Sequence, residues 1–161
     1  MTGVPITRAG YRRLLRELTF LRRVVRPQVL DELREARAFG VSTDNQQYLL
    51  ARERWLVLDR KIRDLEEKVA RCEIFVGRRF ITKQMVFGAI CLLQNVATGQ
   101  VHSFQLVGPH ESDAANGRLA IDSPLGVALL GRREGEEVLV TTPGGLRTYR
   151  LLAIDLHLSS H

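Results

Sequence analysis

The sequence is poor in cysteine and histidine, the residues that most often hold metal ions. Its only two cysteines, Cys72 and Cys91, belong to no C-x-x-C or Cys/His pattern and lie in apolar surroundings. The four histidines are scattered without ligand spacing, at His102, His110, His157 and His161. These features favour two buried free thiols over a metal site or a disulfide.

Long hydrophobic runs are also missing. No segment approaches the roughly 18 to 20 apolar residues that a membrane span needs. The first ten residues, MTGVPITRAG, lack the apolar core of a secretory signal. Hydrophobic residues nevertheless make up 45% of the 161 positions, which is enough for a folded core. We therefore expect a soluble, cytoplasmic protein with no membrane partner.

Aromatic residues are scarce, at 6% of the chain, and Trp55 is the single tryptophan. Trp55 falls on an apolar helical stripe, so packing is favoured over a role as a stacking platform for a base. The second half offers few aromatic residues that could line a ligand pocket, namely Phe80, Phe87, Phe104 and Tyr149.

The net charge of +6 is unevenly distributed. Residues 1–76 contain 16 Arg/Lys and 11 Asp/Glu, whereas residues 77–161 contain 8 and 7. A basic first half suggests an acidic partner, either nucleic acid or a protein surface. Acidic residues interrupt the basic ones along both predicted helices, which is typical of a solvated helix face and argues against direct DNA binding, although that option stays open.

The first half shows helical periodicity. Thr7 is the predicted N-cap of a first helix, in which apolar residues recur at Tyr11, Leu14, Leu18, Leu21 and Val25. Pro27 lacks a backbone N–H, so the helix should kink or restart there before it ends near Gly40. A second helix is predicted from about Tyr48 to Ile74, with a heptad-spaced seam at Trp55, Leu58, Ile62, Leu65, Val69 and Cys72.

Two such seams joined by a short connection predict an antiparallel coiled coil, because each stripe can be buried only against the other. The second helix would be on the order of 40 Å long. The connection, residues 36–48, is called the tip segment below, and it would lie far from the rest of the protein.

The second half changes to strand-like patterns. Two alternating runs flank a turn at Thr98-Gly99, and two more flank Pro143-Gly144-Gly145. Between them, RLAIDSPLGVALLG predicts a strand and a short helix opened by Ser-Pro. The predicted fold class is therefore α+β, with a coiled-coil hairpin over residues 1–76 and a mostly antiparallel β domain with one short helix over residues 77–161.

The order and spacing of several motifs resemble the bacterial Gre transcript-cleavage factors, the GreA/GreB family. These motifs are TRAGYRRLLRELTFL, Arg26-Pro27, Ala36-Arg37, Gly40, Asn45, Tyr48, Arg52-Glu53, VFGA, IDSPLGVALLG and TPGG. The resemblance spans nearly the whole chain. It implies that the second domain has the fold of the FK506-binding proteins (FKBPs).

The resemblance also implies a partner and a mechanism. In this family the coiled coil enters the secondary channel of bacterial RNA polymerase and brings its tip close to the catalytic Mg²⁺. Two tip carboxylates, in a pattern like G-D-x-x-E-N-A-E-Y, help to hold a second Mg²⁺ and its water, and the polymerase then cleaves backtracked RNA. The chain would therefore be a polymerase-binding regulator rather than an enzyme, with no cofactor of its own and Mg²⁺ only shared with the polymerase.

The tip segment of this chain departs from that pattern. Val41 stands at the position of the first acid, Asp44 at the second, and Gln47 replaces a later Glu. Asp44 is thus the only carboxylate between Ala36 and Tyr48, and we expect it to bind Mg²⁺ weakly and only with the polymerase. The positions expected to enter the channel, where they could meet the 3′ end of the nascent RNA, are Gly40, Val41, Ser42, Thr43, Asp44, Asn45 and Tyr48.

These departures favour a factor that occupies the channel without stimulating cleavage and so acts as an inhibitor or competitor of Gre factors. The alternative is a genuine GreA-like factor that stimulates cleavage. Asp122, Ser123 and Pro124 match the segment through which the family contacts the polymerase rim. The same residues also fit a strand end, an N-cap and a first helical residue. A peptidyl-prolyl isomerase and a coiled-coil adaptor for another partner remain further alternatives.

Overall fold

The structure is a computed structural model, and it describes residues 3–40, 44–75 and 84–155. The described chain divides into two compact units. One comprises residues 11–71, and the other comprises residues 3–10 together with 72–75 and 84–155. The boundary expected between residues 76 and 77 lies outside the described residues and stays a prediction.

The first unit is an antiparallel helical hairpin. Its elements are helix α1 (Arg8–Phe20), a π-helical segment (Leu21–Val25), helix α2 (Arg26–Arg37) and helix α3 (Gln46–Arg71). The first three residues of α1 belong to the second unit. Thr7 caps α1 as predicted, because its Oγ1 accepts a hydrogen bond from the Gly10 N–H at 3.0 Å.

The break in the first helix is also confirmed, and it extends over the five residues before Arg26-Pro27. The Arg26 N–H bonds to the carbonyl of Leu21, five residues back, instead of the usual four. A proline ring clashes with the carbonyl four residues before it in a regular α-helix, and a wider turn relieves that clash.

The predicted seams are confirmed over most of their length. Three side chains of α1 and the π-helical segment, Leu14, Leu18 and Leu21, are at most 8% exposed. The α3 side chains Leu58, Ile62 and Leu65 are buried to the same degree. Burial of these side chains supplies most of the stability of the hairpin, since each contributes roughly 1.5 to 3 kcal/mol. Surface ion pairs such as Arg22–Glu66, at 2.7 Å, add less.

The second unit contains a five-stranded, mostly antiparallel sheet. Its strands are β3 (Ile90–Asn95), β4 (Val101–Val107), β5 (Arg118–Ala120), β6 (Glu137–Thr142) and β7 (Gly145–Asp155). They lie side by side in the order β5-β4-β3-β7-β6. Within this sheet, β4 and β5 pair in parallel and the other neighbouring strands pair antiparallel. Helix α4 (Pro124–Leu129) contributes Leu129 to a core that also includes Met85, Leu93, Leu106 and Leu151.

Both predicted hairpins and the short helix are present. Gly99 turns between β3 and β4 with a φ of +77°, which favours glycine. Pro143 and Gly144 connect β6 to β7, and the Thr142 hydroxyl donates to the Gly145 carbonyl across that turn.

Residues near both ends of the helical hairpin join the second unit through a strand pair that the sequence did not predict. Strands β1 (Val4–Ile6) and β2 (Cys72–Ile74) pair in parallel. The predicted helix to Ile74 is therefore wrong for its last three residues, and Cys72 lies on a strand rather than on the helical seam. Pairing with β1 outcompetes the local heptad pattern.

Glu111 binds residues that follow β1 within the second unit. The side chain is 7% exposed and accepts hydrogen bonds from the backbone N–H groups of Thr7, at 2.6 Å, and Gly108, at 3.0 Å. The Thr7 hydroxyl donates to its other oxygen. A Cβ at residue 10 would overlap this carboxylate, which explains glycine at that position.

Both cysteines are free thiols. Cys91 is buried in the sheet core, and desolvation raises the pKa of its thiol to about 11. Cys72 is only half-buried, so the expectation of burial holds fully for one of the two. Among the helices of the described residues, none combines the length and apolarity of a membrane span.

Candidate functional site

The tip segment begins where α2 ends. After Arg37 the chain turns through Ala38 and Phe39, and the Gly40 N–H donates to the Arg37 carbonyl at 2.9 Å. Gly40 has a φ of +103°, a conformation that other residues adopt only with strain. The predicted stop is confirmed, and it is the backbone of Gly40 that terminates the helix.

Asn45 stabilises the tip segment from its other end. Its side-chain Oδ1 accepts from the Tyr48 N–H at 3.1 Å, which makes Asn45 the N-cap of α3. Its side-chain Nδ2 donates to the carbonyls of Ala36, at 3.0 Å, and Gly40, at 2.6 Å. One side chain therefore satisfies orphan backbone groups of both helices and closes the turn.

A small apolar cluster supports the turn from within the hairpin. Leu33, Ala36 and Ala51 are buried, and the partly buried rings of Tyr48 and Trp55 pack against them. The packing role predicted for Trp55 is confirmed. Tyr48 is partly buried and therefore contributes to the packing beneath the tip segment.

Asp44 is exposed and forms no hydrogen bond or ion pair among the described residues. Val41, Ser42 and Thr43 lie outside the described residues, so their roles stay predictions from the sequence. None of the three supplies a carboxylate. One exposed carboxylate does not fit a resident Mg²⁺ site, which needs several oxygen ligands, so we assign no metal to this chain alone.

Three arginines near the tip segment differ in how they are paired. The Arg34 Nη1 atom lies 3.6 Å from Asp31 Oδ1. Because both side chains are exposed, this ion pair contributes little to stability. Arg37 and Arg52 are exposed and form no ion pair among the described residues. Within the described part of the chain, the charges of Arg37 and Arg52 are therefore not neutralised beside the tip segment.

Phe39 is a surface feature that the sequence did not predict. Phe39 is 77% exposed, more than any other large hydrophobic residue in the described part of the chain. The only local signal was an aromatic residue next to the glycine that ends the helix. Phe39 offers the tip segment an apolar contact with whatever surrounds it.

The importance of Asn45 for the tip segment can be tested by Asn45→Ala. Loss of the N-cap and of two carbonyl partners is expected to cost about 1 to 2 kcal/mol in the free energy of unfolding. Urea unfolding followed by circular dichroism measures this. Gln46→Ala is the matched control, because Gln46 is exposed and forms no side-chain hydrogen bond among the described residues. Equal stability of the two variants would contradict the role of Asn45.

A second candidate surface lies where β5 leads into α4. The Ser123 side-chain oxygen accepts from the Gly126 N–H at 3.1 Å and donates to the Ala120 carbonyl at 2.6 Å. This is the N-cap that the sequence predicts. Asp122 and Pro124 on either side are exposed, and Asp122 forms no hydrogen bond or ion pair among the described residues.

Helix α4 extends this surface with apolar side chains. Val127 is 62% exposed and Leu130, just after the helix, is 52% exposed. Together with Pro124 they recur every three residues along one side. A carboxylate at Asp122 beside an exposed apolar row is typical of a protein contact rather than of a small-molecule site.

The described aromatic residues of the second unit do not form a ligand pocket. Phe104 and Tyr149 pack against the sheet core. The rings of Phe75 and Phe87 meet edge to face, with their centroids 5.1 Å apart. The cavity bordered by Phe75 and Phe87 has a volume of about 50 Å³. That volume is below the roughly 300 Å³ of a typical ligand site. Phe80 lies outside the described residues.

The described residues also contain no group of three His, Cys, Asp or Glu side chains placed to hold a metal ion. Of the histidines, His102 lies against Phe104, with ring centroids 6.1 Å apart. His157 and His161 lie outside the described residues.

Two family models together match nearly the whole chain. The model described as "Transcription elongation factor, N-terminal" matches residues 4–74. The model described as "Transcription elongation factor, GreA/GreB, C-term" matches residues 81–156. The two matches follow one another in the order that the sequence motifs predict.

Full-length relatives agree with these models. A protein of Syntrophobacter fumaroxidans named transcription elongation factor GreA is 40% identical over 154 residues, which is 96% of this chain and 99% of that protein. A protein of the same name from Caulobacter vibrioides is 37% identical over 155 residues, with the same coverage. The crystal structure of GreA factor homolog 1 (Gfh1) of Thermus thermophilus is 27% identical and covers 95% of this chain and 99% of its own. Its TM-score of 0.42 is too low for the superposition to support an argument.

Proposed function

Because this chain belongs to the GreA/GreB family of transcription elongation factors, we propose that it binds bacterial RNA polymerase in the secondary channel without stimulating RNA cleavage. It then acts as an inhibitor or as a competitor of cleavage-stimulating Gre factors. In this role the chain is a regulator in the cytoplasm rather than an enzyme, and any cleavage would be chemistry of the polymerase.

The observation that carries this proposal is that hydrogen bonds stabilise the turn of the tip segment, although the segment has only one carboxylate that could bind a metal ion. Asn45 joins both helix ends, and Gly40 stops α2. The tip segment nevertheless presents one carboxylate, Asp44, since residue 41 is valine and residue 47 is glutamine. Two-metal hydrolysis depends on holding a second ion close to the first, and a single short carboxylate does this poorly.

Docking is assigned to the surface formed by Asp122, Ser123 and Pro124. The Ser123 cap holds Asp122 and Pro124 at the start of α4 and leaves both exposed. The exposed side chains of Val127 and Leu130 continue the same surface. An apolar centre with a polar edge matches the usual composition of a protein interface.

A second candidate function is that of a cleavage-stimulating elongation factor. It is favoured by identity of 40% to a protein named transcription elongation factor GreA over almost the whole chain. Under this alternative, Asp44 together with ligands of the polymerase would suffice to hold the second Mg²⁺. A cleavage assay on backtracked polymerase, at several Mg²⁺ concentrations, separates the two functions directly.

The proposal predicts that the protein slows RNA synthesis, most visibly when nucleotides are scarce, and that Asp122→Lys removes the effect. Reversing the charge at an exposed docking residue should weaken polymerase binding by about tenfold or more. The measurements are elongation rates at limiting nucleotide and pull-down of polymerase. Glu73→Lys is the control, since Glu73 is an exposed carboxylate elsewhere in the same unit and its side chain forms no hydrogen bond or ion pair among the described residues.

Undiminished pull-down by Asp122→Lys would refute the docking surface. Stimulation of cleavage by the unmodified protein would instead favour the second candidate function.

A further inference from the structure

Strand β6 forms one edge of the five-stranded sheet in the part of the chain that the structure describes. It pairs with β7 on its other side, in a continuous register from Glu137 to Thr142. Its sequence, EVLVTT, contains valine, leucine and threonine at all positions but the first. Such residues favour strand pairing, and an edge strand offers its outward backbone N–H and C=O groups to another strand.

The opposite edge of the sheet is protected, whereas β6 is not. Strand β5 has only three residues, and Asp113 bonds to Arg118 through two backbone hydrogen bonds, of 2.8 and 2.9 Å. Short length and a covering loop are common ways to protect an edge, as are lysine and proline. Strand β6 is twice as long and contains neither residue. Its one charged side chain, Glu137, is already paired with Arg150 at 2.6 Å.

The backbone groups of Leu139 point toward this open edge. Thr148 lies opposite Leu139 on β7, and its carbonyl accepts a hydrogen bond from the Val96 N–H at 3.0 Å, on the side of β3. In an antiparallel ladder, the N–H and C=O of one residue point to the same side, and opposite residues alternate between bonded and non-bonded pairs. Leu139 therefore directs both groups away from β7, as do Glu137 and Thr141 two positions to either side.

The side chains beside the open edge are apolar. Leu139 is 64% exposed, whereas its neighbours Val138 and Val140 face the core and are each 3% exposed. Leu146 on β7 lies opposite Thr141 and is 68% exposed. Leu139 and Leu146 are thus diagonal neighbours on the outer face of the sheet, within reach of one another.

We propose that β6 pairs with β6 of a second copy of this chain, antiparallel and around a two-fold axis at Leu139. An antiparallel strand pair has this symmetry, so one edge can be its own partner. Leu139 then lies opposite the second copy's Leu139, and Glu137 lies opposite the second copy's Thr141. These three bonded pairs form about six backbone hydrogen bonds.

This register suits the side chains as well as the backbone. It keeps the core residues Val138 and Val140 on one face and brings the exposed leucines of both copies together on the other. A shift by one residue would place Leu139 on the wrong face. A shift by two residues would leave Glu137 or Thr141 without a bonded partner.

The charges of β6 also fit a second copy. Glu137 is neutralised by Arg150, and it faces an uncharged threonine in the proposed pair. No like charges are therefore opposed across the axis. One strand from each copy is much less than the roughly 20 to 30 residues a side of a standard interface, so we expect a weak dimer with a Kd of about 10 to 100 μM. The pairing needs neither the tip segment nor polymerase and is independent of the proposed function.

Sedimentation equilibrium of the full chain, from about 5 to 500 μM, tests the proposal. The average mass should rise with concentration from the 18.2 kDa of one chain toward twice that value. Leu139→Lys should weaken association by about tenfold or more, because two like charges would lie opposite each other at the axis. Leu92→Lys is the matched control, since Leu92 is a 41% exposed leucine on the outer face of β3, and β7 separates it from β6. Its Kd should be unchanged.

A disulfide cross-link tests the register. In a bonded antiparallel pair the two Cα atoms are about 5.5 Å apart, which is within the range of a disulfide. Leu139→Cys should therefore give a covalent dimer under mild oxidation at about 50 μM. Leu92→Cys and the unmodified protein, which retain Cys72 and Cys91, should form much less.

Three results would overturn the proposal. The first is a mass of one chain over the whole concentration range. The second is equal weakening by Leu139→Lys and Leu92→Lys, with circular dichroism showing both folded, which would assign the association to the outer face of the sheet. The third is cross-linking of Leu139→Cys no greater than that of Leu92→Cys.

Discussion

The double variant Val41→Asp, Asp44→Glu is expected to stimulate cleavage of backtracked RNA by RNA polymerase, whereas the unmodified protein is not. It restores two carboxylates at the spacing of the Gre pattern and lengthens the second by one methylene. Loss of a residue that merely supports a metal ligand commonly lowers metal affinity or activity by about 10- to 100-fold, so restoring a ligand should raise cleavage by about tenfold over polymerase alone. Release of short 3′ RNA fragments, measured over a range of Mg²⁺ concentrations, gives the rate.

Position rather than charge should decide this gain. Thr43→Asp with Asp44→Glu adds the same carboxylate at a neighbouring position, and it should leave cleavage at the level of polymerase alone. Adding Asp122→Lys to the double variant should abolish the gain, because docking is lost. Ser42, Thr43, Gln46 and Gln47 also depart from the family pattern, so the gain need not reach that of a natural cleavage factor. Strong cleavage by the unmodified protein would show that Asp44 alone is sufficient.

The second large effect is expected for Ile62→Asp in the middle of α3. Ile62 is 3% exposed and lies between Leu58 and Leu65 on the seam. An aspartate there would lose the apolar contacts and bury a charge without a partner, which costs about 3 to 5 kcal/mol. That is a large share of the 5 to 15 kcal/mol that typically stabilises a domain. Thermal unfolding followed at 222 nm should show a lower melting temperature and reduced helicity.

Val57→Asp provides the matched control for this change. Val57 lies on the same helix and is also β-branched, but it is 58% exposed. Its replacement should change the free energy of unfolding by about 0.5 kcal/mol or less. Similar melting of the two variants would mean that the seam does not stabilise the hairpin.

Sequence periodicity and local turn chemistry predicted most of the individual elements. The three- and four-residue spacing through Leu14, Leu18 and Leu21 requires only helix geometry and a buried side, and the structure buries all three. Thr7 and Ser123 were recognisable as N-caps because a cap depends on a hydrogen bond three residues away. Such signals involve neighbours in the chain, so they are visible in the sequence.

The composition of the tip segment is likewise a property of the sequence alone. The sequence alone shows that the segment has one carboxylate, at Asp44, and a valine at residue 41. The hydrogen bonds of Asn45 to the carbonyls of Ala36 and Gly40 could not be predicted from the sequence. The two carbonyls come close to Asn45 only through the turn between α2 and α3. Exposure of Phe39 depends on the same turn.

Contacts between distant residues were decided only by the tertiary structure. Val4 pairs with Cys72, and Thr7 bonds to Glu111, 104 positions later in the chain. In each case the local pattern favoured another outcome or none: Cys72 continued a helical seam, and Glu111 had no motif around it. Backbone pairing in β1–β2 and the need to satisfy a buried carboxylate outweigh weak local preferences, because each unsatisfied buried polar group costs about 1 to 3 kcal/mol. Periodicity therefore determined which segments are helices and strands, and long-range hydrogen bonding determined where the helical hairpin ends and the second unit begins.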